Sequence, residues 1–150
     1  MKVISLASMN VSIVNDNYDE LISFGGGGKQ IGSASYGFSN NIFSMDSSAD
    51  GGYSVSHNAS KSGNFSFSIQ QTSPVVDTLC KYILWCRDNP ELASATITVS
   101  DSTGIINATG IDCVPTTYPE NALGDSAQSR TFTFAAGIIT PQEYMTEEFR

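Results

Sequence analysis

His57 is the one histidine of this sequence, and imidazole is the side chain that most often moves protons or binds metal ions near neutral pH. No second histidine can share a metal with it, and the cysteines Cys80, Cys86 and Cys113 lie in a predicted helix and a distant strand. A Ser-His-Asp triad has many serines and aspartates to draw on, but no G-x-S-x-G pattern singles out a nucleophile. We interpret His57 as a surface or loop histidine, and we expect no catalytic residue and no metal site.

Two further patterns have the residue types of a site without its spacing. GGGGK (25–29) suggests a phosphate-binding loop, but that motif requires Ser or Thr after the lysine and a helix beyond it; here Gln30 follows. Asp46, Asp50 and Asp101 could form paired carboxylates, yet they fall at predicted strand ends or turns, where aspartate is common. The enzyme hypothesis therefore has no set of residues to carry it, and no cofactor is expected.

The composition indicates one acidic domain with few charges. The chain has 150 residues, of which 40% are hydrophobic and 15% charged, and its net charge is −8. Tight binding of nucleic acid needs clustered Lys and Arg, and the sequence contains no such cluster. Its apolar runs are far shorter than a membrane span. An odd, sparse set of three cysteines predicts buried free thiols rather than a disulfide framework.

Alternation of apolar and hydroxyl residues predicts antiparallel strands with one buried and one wet face. FSFSI (65–69), TITVS (96–100) and TFTFA (131–135) carry this pattern. YSVSH (53–57) repeats it as a half-buried strand. We expect residues 53–58 to form a hairpin with 64–70 across the short loop ASKSG. The wet face is almost without charge, and its candidate residues are Ser66, Ser68, Thr96, Thr98, Thr131 and Thr133.

The remaining elements complete a mainly β fold. Further strands are predicted at 3–7, 11–15, 19–24, 40–46 and 105–114. One helix is predicted over 73–88, because Ser73 is a good N-cap, Pro74 suits the first turn and Pro90 ends it. Its wide apolar face must pack against a sheet. We predict an antiparallel β-sandwich or barrel with one flanking α-helix, in which Tyr82 and Trp85 pack in the core or, alternatively, at an interface.

Two segments lie outside this predicted sheet, within a single domain of residues 1–150. The glycine-rich stretch 23–40 predicts a long mobile loop between strands. The acidic stretch 140–150 contains Tyr144, Met145 and Phe149, which could anchor it. We interpret 140–150 as an arm that packs on a neighbouring chain.

A series of motifs over roughly residues 40–139 resembles a known protein family. In order, the motifs are Asp50-Gly51, Asn58, Lys61-Ser62-Gly63, the alternating strand 65–71, Thr72-Ser73-Pro74 entering the helix, TITVSDSTG (96–104) and RTFTFAAG (130–137). This order resembles the tail tube proteins of contractile-tailed bacteriophages. Each motif is weak alone, and their order and spacing carry the resemblance.

The resemblance implies a virion structural protein of the phage tail rather than an enzyme. Tube proteins of this family are implied to have β-barrel or β-sandwich domains that form hexameric rings, and the rings stack into a hollow tube for genome ejection. Implied partners are further copies of the chain, the tail sheath, the baseplate and the tail terminator. The implied location is the virion tail after synthesis in the host cytoplasm, with no membrane segment.

The residues fit this expectation physically. A net charge of −8 and hydroxyl-bearing strands would let DNA pass through a lumen without specific binding. The six Ser and Thr candidates above are therefore candidates for the bore. Candidates for contacts between stacked rings are Gly25, Gly26, Gly27, Gly28, Tyr144, Met145 and Phe149.

Two alternative functions stay open from the sequence. A tube subunit of a related contractile injection system, of the bacteriocin or secretion type, needs the same bore and differs little in sequence. A carbohydrate-binding β-sandwich is the other alternative, but it requires exposed aromatic rings on one sheet face. The alternating aromatics here are predicted to face inward, which disfavours it.

Overall fold

The computed structural model describes residues 10–24, 31–100, 106–120, 124 and 128–141, without the side chains of 31–33, 106 and 107. These residues form ten strands, one α-helix and a short 3-10 turn at Pro90–Leu92. The strands are β1 (Asn10–Val14), β2 (Ile22–Phe24), β3 (Ile31–Phe38), β4 (Phe43–Ser47), β5 (Tyr53–His57), β6 (Gly63–Gln70), β7 (Ala95–Ser100), β8 (Ile106–Pro115), β9 (Ser129–Ala136) and β10 (Ile138–Pro141), and the helix α1 is Pro74–Asp88.

Eight strands form one sheet in the order β2-β1-β7-β8-β9-β6-β3, with β10 also paired to β8, and all pairings described are antiparallel. The sheet has two halves that meet at β8. The first part of β8 pairs with β7, whereas its last residues, Val114 and Pro115, pair with β9. The mainly β, antiparallel prediction is confirmed.

A bulge in β8 separates the two halves. Asp112 has a φ of 57°, which aspartate tolerates better than bulkier residues do. The Ser94 Oγ donates a hydrogen bond to Asp112 Oδ1 at 2.9 Å. Opposite the bulge, the Gly137 N–H donates to the Ile111 carbonyl at 3.0 Å, where β9 passes into β10. Bulges of this kind bend a sheet and increase its twist, so the two halves can face each other.

The core fills the space between the two halves. Phe65, Phe67, Phe132 and Phe134 are at most 1% exposed, as the alternation predicted. Phe67 meets Phe24 of the other half edge to face, with ring centroids 5.4 Å apart. The halves therefore pack through their apolar faces, and their hydroxyl-bearing faces are the outer surfaces.

The helix α1 closes one side of this core. As predicted, Ser73 is its N-cap, with its hydroxyl accepting a hydrogen bond from the Val75 N–H at 3.4 Å. The buried helix residues are Val76, Leu79, Cys80, Tyr82, Ile83 and Cys86. Trp85 is half-buried, and its ring lies 5.0 Å from that of Tyr18. The core interpretation of Tyr82 is confirmed, and Trp85 packs beside it.

The predicted hairpin between 53–58 and 64–70 is wrong. β5 pairs with β4, and β6 lies between β3 and β9, so both of its edges are already occupied. The half-buried assignment of β5 is also wrong, because every residue of the strand is exposed. Alternation correctly identified two faces of β5, but it does not say whether anything covers them.

The long loop predicted at 23–40 is wrong over much of its length. Residues 22–24 form β2 and residues 31–38 form β3, which pairs with β6. Gly, Ser and Ala in β3 hid the strand pattern, since strand propensity follows large branched and aromatic side chains. A Cβ at Gly63 would overlap the Gly37 carbonyl, so glycine permits this close pairing.

Other boundaries shifted by a few residues. The strand predicted at 40–46 is observed at 43–47, and that at 19–24 at 22–24. The strand predicted at 3–7, the segment 25–30 and most of the arm 140–150 lie outside the described residues. Within the described part of the chain, no helix has the length and apolarity to cross a bilayer.

Candidate functional surfaces

Four of the six candidate wet-face residues lie together on the outer surface of β6 and β9. The register places Ser66 opposite Thr133 and Ser68 opposite Thr131. We call this surface the β6–β9 face; its residues are Asn64, Ser66, Ser68, Gln70, Ser129, Thr131, Thr133 and Ala135. None of the eight is charged. The surface offers hydroxyl and amide groups for hydrogen bonds and has no fixed ionic charge of its own.

Thr96 and Thr98, the other two candidates, lie on the outer surface of the other half. They belong to β7, where Thr98 pairs with Ser12 of β1 and with Thr109 of β8. Thr96 is paired with the exposed apolar residue Val14, which interrupts this second hydroxyl surface. The sequence treated all six as one set because alternation identifies a face within each strand, not which strands are neighbours.

The candidate ring-stacking residues Gly25–Gly28, Tyr144, Met145 and Phe149 lie outside the described residues. Their role stays a prediction from the sequence. The same holds for Asp101, whereas Asp46 lies near the end of β4 and Asp50 in the turn that follows.

The hairpin formed by β4 and β5 has one apolar and one polar side. We call the side that carries Phe43, Met45, Tyr53, Val55 and His57, together with Ser47, the hairpin apolar face. Phe43, Met45 and Tyr53 are 63%, 65% and 74% exposed. The opposite side carries Ser44, Asp46, Ser54 and Ser56. Every residue from 35 to 61 is exposed, so the hairpin apolar face is open to solvent in the single chain.

The turn of this hairpin is fixed by local hydrogen bonds. The Ser48 hydroxyl and the Gly52 N–H both donate to the Asp50 carboxylate. These two bonds, the one from Ser48 first, hold the pKa of Asp50 below its usual value. Gly51 has a φ of 91°, a conformation that glycine adopts without strain. His57 lies at the other end of the hairpin and is exposed, as predicted, with its ring 5.1 Å from Phe43.

An apolar groove of about 420 Å³ runs between the second half of α1 and the end of β8. We call it the α1–β8 groove. Leu84 and Pro90 line one wall, and Val114, Pro115 and Tyr118 line the other. Arg87 lies beside it with its side chain 72% exposed. Sequence reasoning missed this groove, because its two walls come from segments about 30 residues apart.

The three cysteines are buried and free, which confirms the prediction. Burial raises the pKa of Cys86, and it raises that of Cys113 to about 11. Burial also raises the pKa of the Tyr82 hydroxyl, which accepts a hydrogen bond from Asn15 Nδ2 at 3.2 Å. Among the described residues, no three His, Cys, Asp or Glu side chains are grouped so that they could hold a metal ion.

With the sheet and its surfaces described, comparison with known proteins identifies the family. The sequence model described as "Bacteriophage PhiTE tail tube protein" matches residues 1–142. The chain therefore belongs to this phage tail tube family, a family of virion structural proteins, as the motif order from Asp50 to Gly137 indicated. No match was found among curated proteins.

Solved structures with a similar fold come from contractile injection systems. A chain of the sheath-tube complex of an extracellular contractile injection system in its extended state is 17% identical, with a TM-score of 0.51, covering 93% of this chain and 92% of that one. A chain in the structure of the anti-feeding prophage cap is 16% identical with the same TM-score, covering 93% of this chain and 91% of that one. A chain in the structure of the sheath/tube terminator of the extracellular system is 14% identical, also with a TM-score of 0.51, covering 93% of this chain and 96% of that one. At these identities the likeness concerns the fold.

Proposed function

We propose that this chain is the major subunit of a phage tail tube, in which hexameric rings stack into a channel for genome ejection. The match of a tail tube family over residues 1–142 carries the proposal. The protein acts by assembly and has no catalytic role. Its partners are further copies of itself, a sheath around the tube, a baseplate and a terminator, and it resides in the virion tail after synthesis in the host cytoplasm.

The β6–β9 face is the surface we assign to the bore. DNA is a polyanion, and Lys or Arg on a channel wall would hold its phosphates by releasing counterions. The residues of this face carry no charge, and the net charge of −8 repels DNA from the protein as a whole. The outer surface of β7 is the second candidate, since Thr96 and Thr98 lie there.

A tube subunit of a related contractile injection system is the second candidate function. The similar folds in a sheath-tube complex and in the anti-feeding prophage favour it. The physics of a stacked tube is the same in both cases, so the cargo distinguishes them: a genome in a phage, protein in an injection system.

Negative-stain electron microscopy of the purified chain at high concentration, with and without baseplate or tube seeds, tests the assembly. We expect hollow tubes of constant width, built from six-fold rings. Single particles that persist after seeds are added would overturn the tube proposal and favour a binding domain, such as a β-sandwich that recognises carbohydrate.

Chemical labelling of assembled tubes tests the assignment of the bore. We compare Ser66→Cys with Thr96→Cys, because the two positions lie on the outer surfaces of different halves. A residue in the bore should react with a small maleimide and be protected from a maleimide on a bulky polymer. We expect that pattern for Ser66→Cys, and we expect Thr96→Cys to react with both reagents. The reverse result would assign the bore to β7.

A further inference from the structure

The hairpin apolar face is an apolar surface that the single chain leaves without a cover. Phe43, Met45, Tyr53 and Val55 together expose on the order of 400 Å² of apolar surface, which is as large as the patches that mark interaction sites on soluble proteins. A two-stranded hairpin with both faces in water is also marginally stable. The hairpin is therefore incomplete as an element of an isolated chain.

We propose that the hairpin apolar face docks into the α1–β8 groove of a second copy of this chain. This inference rests on the proposed function, since it names the contact by which one tube subunit holds the next. The groove of about 420 Å³ is large enough for about two aromatic or methionine side chains, and both of its walls are mainly apolar. In the single chain the groove is open and the hairpin apolar face is exposed, so the two surfaces do not cover each other within one molecule.

Charge favours a second copy as the occupant. The hairpin from 42 to 57 carries Asp46 and Asp50 and no Lys or Arg, whereas Arg87 lies exposed beside the groove. Arg87 has one ion pair in the described chain, with its neighbour Asp88 at 3.6 Å, and an exposed pair of this kind contributes little. Asp46 lies on the polar side of the hairpin, so Asp50 in the turn is the acidic residue that docking brings towards Arg87, and this pairing offsets part of the repulsion between two chains of net charge −8.

Area and symmetry support the same occupant. A stable interface buries about 800 Å² on each partner, and the hairpin apolar face supplies about half of that before its rim is counted. The contact joins two different surfaces, so each copy offers a hairpin to one neighbour and a groove to another. Head-to-tail contacts of this kind generate closed rings or open helical stacks, which are the forms that a tube requires.

Cross-linking between two variants tests the contact directly. A chain with Met45→Cys is mixed with a chain with Val114→Cys at high concentration and mildly oxidised. The matched control replaces Met45→Cys by Ser54→Cys, which lies on the polar side of the same hairpin. The native cysteines are buried and do not compete. We expect mixed covalent dimers from the first pair at a yield about tenfold above the control, because disulfides form across short Cβ distances only.

Microscopy of the same samples separates this inference from the tube proposal. Tubes without an excess of the Met45–Val114 dimer would overturn the docking contact and leave the tube function standing. An excess of dimer without rings or tubes would support docking and count against the tube. Neither tubes nor dimer would overturn both.

A second variant pair tests whether the contact drives assembly. Met45→Ser combined with Val55→Ser should abolish rings and tubes, whereas Ser54→Ala combined with Ser56→Ala on the polar side should not. Because none of these residues lies in the core, the thermal unfolding of both variants should stay close to that of the unchanged chain. Normal tubes from the Met45 and Val55 variant would contradict the proposal.

Discussion

At the scale of single residues, Phe67 connects the two halves of the sheet. It has no exposed surface, and its ring contacts Phe24 from the other half and lies 6.2 Å from Phe134 on the neighbouring strand. Ser66, the adjacent residue, points to the opposite side of β6. One step along the strand therefore separates a core residue from a residue of the proposed bore.

Phe67→Ala should lower the free energy of unfolding by about 3–5 kcal/mol, because it leaves a cavity where the two halves meet. Ser66→Ala is the matched control and should change the free energy of unfolding by less than about 0.5 kcal/mol. Urea denaturation of both variants measures the difference. Equal losses would show that Phe67 does not bridge the halves.

The buried thiols make stability depend on alkaline pH. In the unfolded chain thiols ionise near pH 8.5, whereas folded Cys113 keeps its proton up to about pH 11. Between these pH values the unfolded state binds fewer protons than the folded state. The contribution of Cys113 to the free energy of unfolding is therefore complete below about pH 8.5 and decreases as pH rises. The loss approaches about 1.4 kcal/mol per pH unit for such a group, and Cys86 and Tyr82 act in the same direction.

Urea midpoints measured at about pH 8 and about pH 10.5 check this expectation. The midpoint should be lower at the higher pH, and Cys113→Ala should reduce the difference between the two. A midpoint that does not change with pH would contradict the assignment of the effect to the buried thiol. So would a Cys113→Ala variant whose midpoints at the two pH values differ as much as those of the unchanged chain.

At the scale of elements, α1 depends on its first turn. The Ser73 hydroxyl accepts the Val75 N–H, and Pro74 has no N–H that would need a partner. Ser73→Ala should therefore lower the free energy of unfolding by about 1 kcal/mol, within the range for lost N-caps. Ser73→Thr is the control, since Ser73 is buried and a hydroxyl can accept the same bond without placing a charge there. Thermal unfolding separates the two, and equal losses would show that the cap contributes nothing.

The bulge in β8 is the second element on which the architecture depends. Asp112 adopts a positive φ there, and Gly110 lies so close to Phe65 that a Cβ would overlap the ring. Strand β8 can approach the other half at this point because Gly110 has no side chain. The hydrogen bond from Ser94 to Asp112 stabilises the bend that follows. No hydrophobic pattern in the sequence records this geometry.

At the scale of the whole molecule, net charge opposes assembly. Copies with a charge of −8 repel one another, and salt shortens the range of that repulsion from about 10 Å at 0.1 M to about 3 Å at 1 M. The concentration needed for tube formation should therefore fall as NaCl is raised. Sedimentation of assembled protein over a series of NaCl concentrations measures the protein concentration at which tubes form.

A variant with fewer surface charges is the control for this effect. Glu20→Gln with Glu91→Gln removes two exposed acidic residues of the described chain and should assemble at lower salt than the unchanged protein. Assembly that weakens steadily with salt would show that ion pairs between subunits outweigh their net repulsion.

The sequence by itself determined the local structure and the class of the protein. Period-two alternation identified β6, β7 and β9, and the residues Ser73, Pro74 and Pro90 defined α1, because these signals depend on contacts within a few residues. The order of motifs from Asp50 to Gly137 indicated the tail tube family. The burial of the three cysteines also followed from composition.

Tertiary structure alone decided which strands are neighbours and which faces are covered. It paired β5 with β4, recruited the glycine-rich stretch into β3, and divided the six Ser and Thr candidates between two surfaces. It also created the α1–β8 groove from distant segments. The physical reason is that alternation fixes the two sides of a strand, whereas pairing and burial depend on the competition among all strands for partners and for the core.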